Sequence, residues 1–207
     1  MAGEVLHNQH GRSLLTLHSE ILNLQTTTKL YLRLAGDVGV GKSTLVMRLD
    51  DLHGDTYDET THIVKLNRDY IELTLADLPS WRRPGRYVLV VDFEPAPFPE
   101  GNFVASFETS VPLLGAILFC INVSNRQQIE SVTERAFLYR NHFQQNLPPC
   151  ILVGTQIELR NDSENCISTT EGHRLARQIR ANRYMECSAW EKIRTRRLFL
   201  TILDMLL

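Results

Sequence analysis

The chain has 207 residues, 43% of them hydrophobic, and a formal charge of −2. That length accommodates one ordinary domain with a sizeable core, and the near-neutral charge leaves no electrostatic footprint for nucleic acid or acidic membrane. Its four cysteines, Cys120, Cys150, Cys166 and Cys187, lack C-x-x-C spacing, and three sit in apolar runs as buried thiols do, which argues against zinc and for a reducing compartment.

Along the chain, residues 1–28 stand apart as an N-terminal extension. Leu14, Leu17, Ile21 and Leu24 fall at 3–4 spacing and predict a short amphipathic helix that packs on the domain or binds a partner. No basic start joins an apolar stretch there, so no secretory signal is expected. Residues 30–35 read as a strand. Gly36-Asp37-Val38-Gly39-Val40-Gly41-Lys42-Ser43 then fits G-x-x-x-x-G-K-[ST], and residues 43–49 carry apolar side chains at helical spacing. Strand, glycine-rich loop and helix in that order are the setting of a phosphate-cradling P-loop. Glycines let the backbone turn its N–H groups inward around an anion. Lys42 is placed to reach the β- and γ-phosphates and the Ser43 hydroxyl to bind Mg²⁺, with Thr44 next in the binding set.

Residues 70–78 and 86–93 read as an antiparallel hairpin with a longer loop, followed by a stretch too rich in proline (Pro95, Pro97, Pro99) for helix or central strand. Residues 115–123 form a continuous apolar run, the mark of a strand buried on both faces. The apolar run 111–123 is too short and interrupted to span a bilayer. Residues 126–139 read as helix and 151–154 as a short buried strand. A helix over 169–179 follows, with Thr169 or Thr170 as its cap and Glu171 in its first turn. Residues 184–187 read as a last strand and 193–207 as a last helix. Strands alternating with helices predict βα units and a mostly parallel sheet.

Three further segments join the P-loop. Thr155-Gln156-Ile157-Glu158 with Leu159-Arg160 is similar to the T-[KQ]-x-D and L-R of a guanine-recognition loop. Glu186-Cys187-Ser188-Ala189 is similar to an E-C-S-A strand, and Tyr57-Asp58-Glu59-Thr60 to a first switch. Together these residues resemble the small GTPases, the Rho family most closely, from about residue 29 to 207 with a weak middle over 61–107. The resemblance implies an α/β P-loop G-domain: a three-layer sandwich whose mostly parallel sheet has one antiparallel edge hairpin. It implies GTP or GDP with Mg²⁺ as ligands. Lys42 and Ser43 would hold phosphates and metal, and Thr60 (or Thr61) would complete the metal shell. Gln156 would lie along the base, Glu158 would accept from the guanine N1–H and amino group, and the Ala189 N–H, beside Ser188, would bond the guanine oxygen.

Departures from the family pattern shape the rest. The metal-side motif D-x-x-G has two placements, Asp92-Phe93-Glu94-Pro95, which is preferred, and Asp77-Leu78-Pro79-Ser80. Neither keeps the glycine, and the water-orienting glutamine is replaced by Ala96 or Trp81. Pro95 has no N–H to offer a γ-phosphate. Val38 stands where the family nearly always has glycine. Hydrolysis is therefore expected to be negligible. Glu158 puts the base-reading carboxylate on an arm one methylene longer. The Rho insert helix and a basic, lipidated tail are missing from the pattern, so no direct membrane anchor is expected. The leading expectation is a cytoplasmic, Rho-like protein that binds GTP, scarcely hydrolyses it, and docks protein effectors or a multiprotein complex. The rivals are a pseudoGTPase with weak or no nucleotide binding and, less favoured, a P-loop nucleotide kinase.

Overall fold

A computed structural model describes residues 28–48, 61–66, 70–75, 87–94, 115–161 and 164–207, with the backbone path alone for 61–66, 70–75 and Val88. The stripe of Leu14, Leu17, Ile21 and Leu24, the switch threonine Thr60, the alternative Asp77, and Trp81, Pro95 and Ala96 lie outside the described residues.

Successive side chains of a strand point to opposite faces, so a strand apolar at every position needs cover on both. β5 (Ala116–Asn122) is such a strand. Its Ala116, Leu118 and Cys120 join one core cluster, and its Ile117, Phe119 and Ile121 join another. β1 (Thr28–Ala35) and β6 (Cys150–Thr155) divide the same way, which places a helical layer on each side of the sheet. α1 (Lys42–Met47) and α4 (Thr195–Leu206) cover the first face, with Leu45, Val46, Leu198, Phe199 and Ile202. α2 (Gln128–Phe143) and α3 (Thr169–Gln178) cover the second, with Val132, Ala136, Tyr139, Leu175 and Ala176. The three-layer α/β sandwich expected from the sequence is the observed architecture. Among the described residues no helix is long and apolar enough to cross a membrane.

With β2 (Thr61–Leu66), β3 (Tyr70–Leu75), β4 (Tyr87–Phe93) and β7 (Arg183–Glu186), the sheet runs β2-β3-β4-β1-β5-β6-β7. Strands β4, β1, β5, β6 and β7 are parallel. The expected hairpin is β3–β4, antiparallel with Ile71 opposite Val91. β2 extends it by a second antiparallel pair that the sequence reading did not place. His62 and Lys65 interrupt its apolar pattern, and an edge strand with a register shift between Ile63 and Lys65 needs no continuous run.

One local signal differs from expectation. α3 is capped by Ser168, not Thr169 or Thr170. The Ser168 hydroxyl accepts from the Glu171 N–H at 3.3 Å, while the Ser168 N–H donates to Glu171 Oε2 at 3.0 Å, a complete capping box. Arg126 on the neighbouring loop closes on the same carboxylate at 2.8 Å.

The second face also carries a polar pair that hydrophobic patterning does not foresee. Arg33 of β1, 2% exposed, donates through Nε at 2.7 Å and through Nη2 to Oδ2 of Asp92 on β4. Arg33 and Asp92 sit opposite each other in the β1–β4 register. A buried pair of this kind is held together by the cost of leaving either charge alone.

Two outcomes follow for stability. Asp92→Ala leaves Arg33 buried without its carboxylate and lowers the unfolding free energy by about 3–5 kcal/mol, whereas Arg33→Met with Asp92→Leu recovers most of it; denaturant midpoints at unchanged m-value measure both. Glu171 titrates near 2 rather than 4.5, chiefly because it accepts the Ser168 N–H and then the Arg126 guanidinium. A depressed carboxylate stabilises the fold above its unfolded value, so this contribution is full above pH 4.5 and fades as pH falls toward 2. Glu171→Gln removes that part of the acid limb, and it lowers stability at neutral pH by about 1 kcal/mol or less.

Candidate functional site

The loop between β1 and α1 turns because its glycines permit it. At Gly36 a Cβ would lie 2.4 Å from the Cys120 carbonyl oxygen, so β5 packs directly against the loop's entry. Gly41 takes φ 85° to start α1, a left-handed conformation that side chains resist. Val38 lies between, 78% exposed at the crest. Lys42 folds back on the loop, its ammonium donating to the Gly36 carbonyl at 2.6 Å and the Asp37 carbonyl at 2.8 Å. Burial holds its pKa below the usual lysine value. Ser43 is exposed at the first turn of α1.

The end of β6 is tied to this loop by two bonds. The buried Thr155 hydroxyl donates to the Val40 carbonyl at 2.6 Å, with the Ile121 carbonyl at 3.1 Å. The Gln156 amide donates to the Gly39 carbonyl at 2.9 Å from a left-handed backbone of φ 57°. Residues 188–193 close a tight turn, in which Ser188 and Ile193 exchange backbone bonds and the Ser188 hydroxyl accepts from the Glu191 N–H. The Ala189 carbonyl accepts from Arg48 Nε at 2.9 Å, fastening that turn to the end of α1.

These segments enclose one cavity of about 310 Å³, lined by Gly41, Thr44, Thr155, Gln156, Glu158 and Ala189, with Leu159 and Trp190 at its rim. The fold thus gathers four separately read segments (loop, helix start, base loop, last strand) into one place. Glu158 Oε2 is buried there with no hydrogen-bond partner among the described residues. A buried carboxylate oxygen without a donor costs free energy, so its placement favours a ligand that brings one. Guanine brings two such donors on adjacent atoms, and adenine presents none in that arrangement. Trp190, 74% exposed, was not singled out from sequence; its place immediately after Glu186-Cys187-Ser188-Ala189 was the available signal.

The carboxylate beside the phosphate loop is not the one preferred from sequence. Asp92 is engaged with Arg33 on the sheet. Two residues on, past the end of β4, Glu94 accepts the Gly36 N–H at 3.3 Å and Arg135 Nε at 2.7 Å, all through Oε2. Its other oxygen, Oε1, is buried with no hydrogen-bond partner among the described residues. Burial raises the Glu94 pKa, an effect that Arg135 opposes. Arg135, 5% exposed on α2, also reaches Asp37 Oδ1 at 2.7 Å and the Ser131 hydroxyl. Sequence reading placed Arg135 on an ordinary helix, because nothing local distinguishes an arginine that turns inward from one that is solvated.

The Ras family profile matches residues 102–207, just over half of the chain. The chain is 33% identical over 91 residues to the Ras-like GTP-binding protein RhoL of Drosophila melanogaster, covering 44% of this chain and 47% of that protein. It is 34% identical over 90 residues to the GTP-binding protein rho5 of Schizosaccharomyces pombe, covering 39% and 44%. It is 34% identical over 90 residues to the GTP-binding protein RHO1 of Candida albicans, covering 39% and 45%. The chain spans about half the length of the curated relatives it matches. With its five parallel strands, two antiparallel strands toward one edge and flanking helices, the chain belongs to the Ras family, as a small-GTPase domain with Rho-like relatives.

Proposed function

We propose that this chain binds guanine nucleotide and acts, in its bound form, as a docking surface for protein effectors or a multiprotein complex. The observation that carries the reading is Glu158, which lines the same cavity as Gly41 and Thr44 and whose Oε2 is buried with no hydrogen-bond partner among the described residues. In this reading residues 29–207 form the binding domain behind an extension of residues 1–28. The base lies between the rim residues Leu159 and Trp190, with Glu158 accepting its donors, Gln156 alongside it and the Ala189 N–H on its oxygen. Gly36, Asp37, Val38, Gly39, Val40 and Gly41 cradle the phosphates, and Lys42 exchanges the loop carbonyls for phosphate oxygens. Mg²⁺ would be held by Ser43 and Thr60 as the family resemblance implies, with Glu94 rather than Asp92 as the carboxylate on that side. The metal would neutralise phosphate charge. The unpartnered Glu94 Oε1 supports that assignment, and the Arg33 pair argues against Asp92.

We also propose that hydrolysis is negligible. Val38 projects from the loop crest where a water and an arginine finger would enter. Glu94 is turned toward Arg135 and Gly36, and Pro95 follows it without an N–H. The second reading, a pseudoGTPase, draws on the Lys42 ammonium, which the loop carbonyls already occupy.

Binding is tested by thermal unfolding and by indole fluorescence. GTP or GDP with Mg²⁺ raises Tm by mass action and quenches Trp190 emission; Lys42→Ala abolishes the Tm shift and Trp190→Phe the quenching. Glu158→Ala brings GTP affinity down toward ATP, a loss of about 1–3 kcal/mol in discrimination. An unmoved melting curve at saturating nucleotide supports the pseudoGTPase instead.

Single-turnover hydrolysis is expected at or below about 10⁻⁴ s⁻¹, the order of unassisted small GTPases. Val38→Gly alone leaves it there, because no glutamine follows to orient a water. A native rate well above that figure refutes this part of the proposal.

A further inference from the structure

A run of basic residues surrounds one edge of the sheet. Between positions 173 and 197 the sequence carries eight Lys or Arg and two Glu, in a chain whose formal net charge is −2. One of those glutamates, Glu186, is buried and bonded by Arg160 Nη2 at 2.6 Å and Nη1 at 3.1 Å and by the Tyr184 hydroxyl at 2.8 Å, with Arg194 at 3.5 Å. It therefore offsets little of the surrounding charge. Arg183 and Arg197 are exposed and have no ion-pair partner among the described residues.

The same place is where the sheet stops. β7 pairs with β6 on one side and has no strand on the other among the described residues. A cavity of about 610 Å³ runs along that outer edge, between Arg177 of α3 and Arg197 of α4, with Arg183 and Met185 of β7 as its floor. A second cavity of about 300 Å³ continues it past Arg194 and shares His173, Tyr184 and Arg197 with the first. The trough has the position of an eighth strand, and four residues of β7 offer about 13 Å of edge at 3.3 Å per residue. The ring of His173 against Tyr184, at 5.1 Å between centroids, fixes the α3 wall.

We propose that this trough binds an acidic, extended peptide segment of a partner protein, which adds to the β7 edge as a further strand. Main-chain bonds to the edge would supply affinity, and the carboxylates of an alternating strand, all on one side, would meet Arg183 and Arg197 on the α4 side. Ala176 and Tyr184 leave apolar surface on the α3 side, which suits the apolar side chains of the same alternating strand. A nucleic acid or a lipid headgroup would use the charge alone, since neither carries a peptide backbone for the edge. The site stands apart from the cavity around Glu158 and does not depend on nucleotide binding.

The test is fluorescence anisotropy of the full chain with a labelled peptide of alternating glutamate and valine. Saturable binding that weakens with added salt is expected. Arg183→Glu with Arg197→Glu should weaken it about tenfold or more, with Tm unchanged, while the two Arg→Lys variants keep most of it. A peptide of the same sequence N-methylated at alternate residues should bind at least tenfold more weakly. Equal binding by the charge-reversed chain overturns the site, and equal binding by the N-methylated peptide overturns strand addition. Tighter binding of a single-stranded oligonucleotide or of phosphatidylserine vesicles at matched charge shows that the surface reads phosphate, and overturns the peptide as occupant.

Discussion

Two arginines buried on one face of the sheet, each matched to a carboxylate from the end of β4, set the terms for everything above them. Asp92 and Glu94 are two positions apart and so point to the same face; Arg33 meets the first from β1 and Arg135 meets the second from α2. An ion taken out of water loses several kcal/mol that only a well-made partner returns. Neither arginine can be shed singly, and neither carboxylate can turn elsewhere without stranding a charge. α2 is thereby pinned to the phosphate-loop side of the sheet, because Arg135 also holds Asp37 within the loop. The apolar core supplies most of the driving force for folding. The two charge pairs decide how α2, β4 and the loop are set against one another.

This constraint reaches the candidate site. Glu94 spends one oxygen on Arg135 and the Gly36 N–H and keeps the other buried without a donor. A carboxylate held beside Lys42 in that way is half satisfied. A cation could complete it, yet the guanidinium already supplies positive charge nearby. Any cation at Oε1 would share that one negative group with the Arg135 guanidinium. The base end follows a different logic. There Gln156 and Thr155 already donate to Gly39 and Val40, and the acceptor at Glu158 is left over. Recognition by an unsatisfied acceptor rejects ligands lacking donors more strongly than it attracts those that have them.

Much of this was legible in the sequence because it depends on near neighbours. The loop from Gly36 to Ser43, the doubly buried β5 and the base loop at Thr155 to Glu158 each announce themselves within a dozen residues. What stayed hidden depends on partners far along the chain. Asp92 reads as a metal-side aspartate until Arg33, fifty-nine positions earlier, is found opposite it. Arg135 reads as a solvated helix position until Glu94 and Asp37 are seen beneath it. β2 carries too few apolar residues to stand out, since an edge strand buries less than a central one. The cap of α3 lies one or two residues before the Thr169 or Thr170 expected, for a smaller reason: Ser168, Thr169 and Thr170 are all competent caps, and the three-residue spacing to Glu171 decides among them.

The arginines around the β7 edge admit a reading that competes with recognition. Charged side chains on an exposed strand are a common defence against edge-to-edge aggregation. The two roles are compatible, and the geometry explains why. Pairing of two β7 edges would bring like charges together across a narrow trough, with Glu186 already neutralised by Arg160 and unable to relieve them. Repulsion therefore rejects a second copy of this edge, while the unpaired main chain remains available. An edge defended by one sign of charge is closed to itself and open to the opposite sign. Specificity of that kind comes from what is excluded as much as from what is bound.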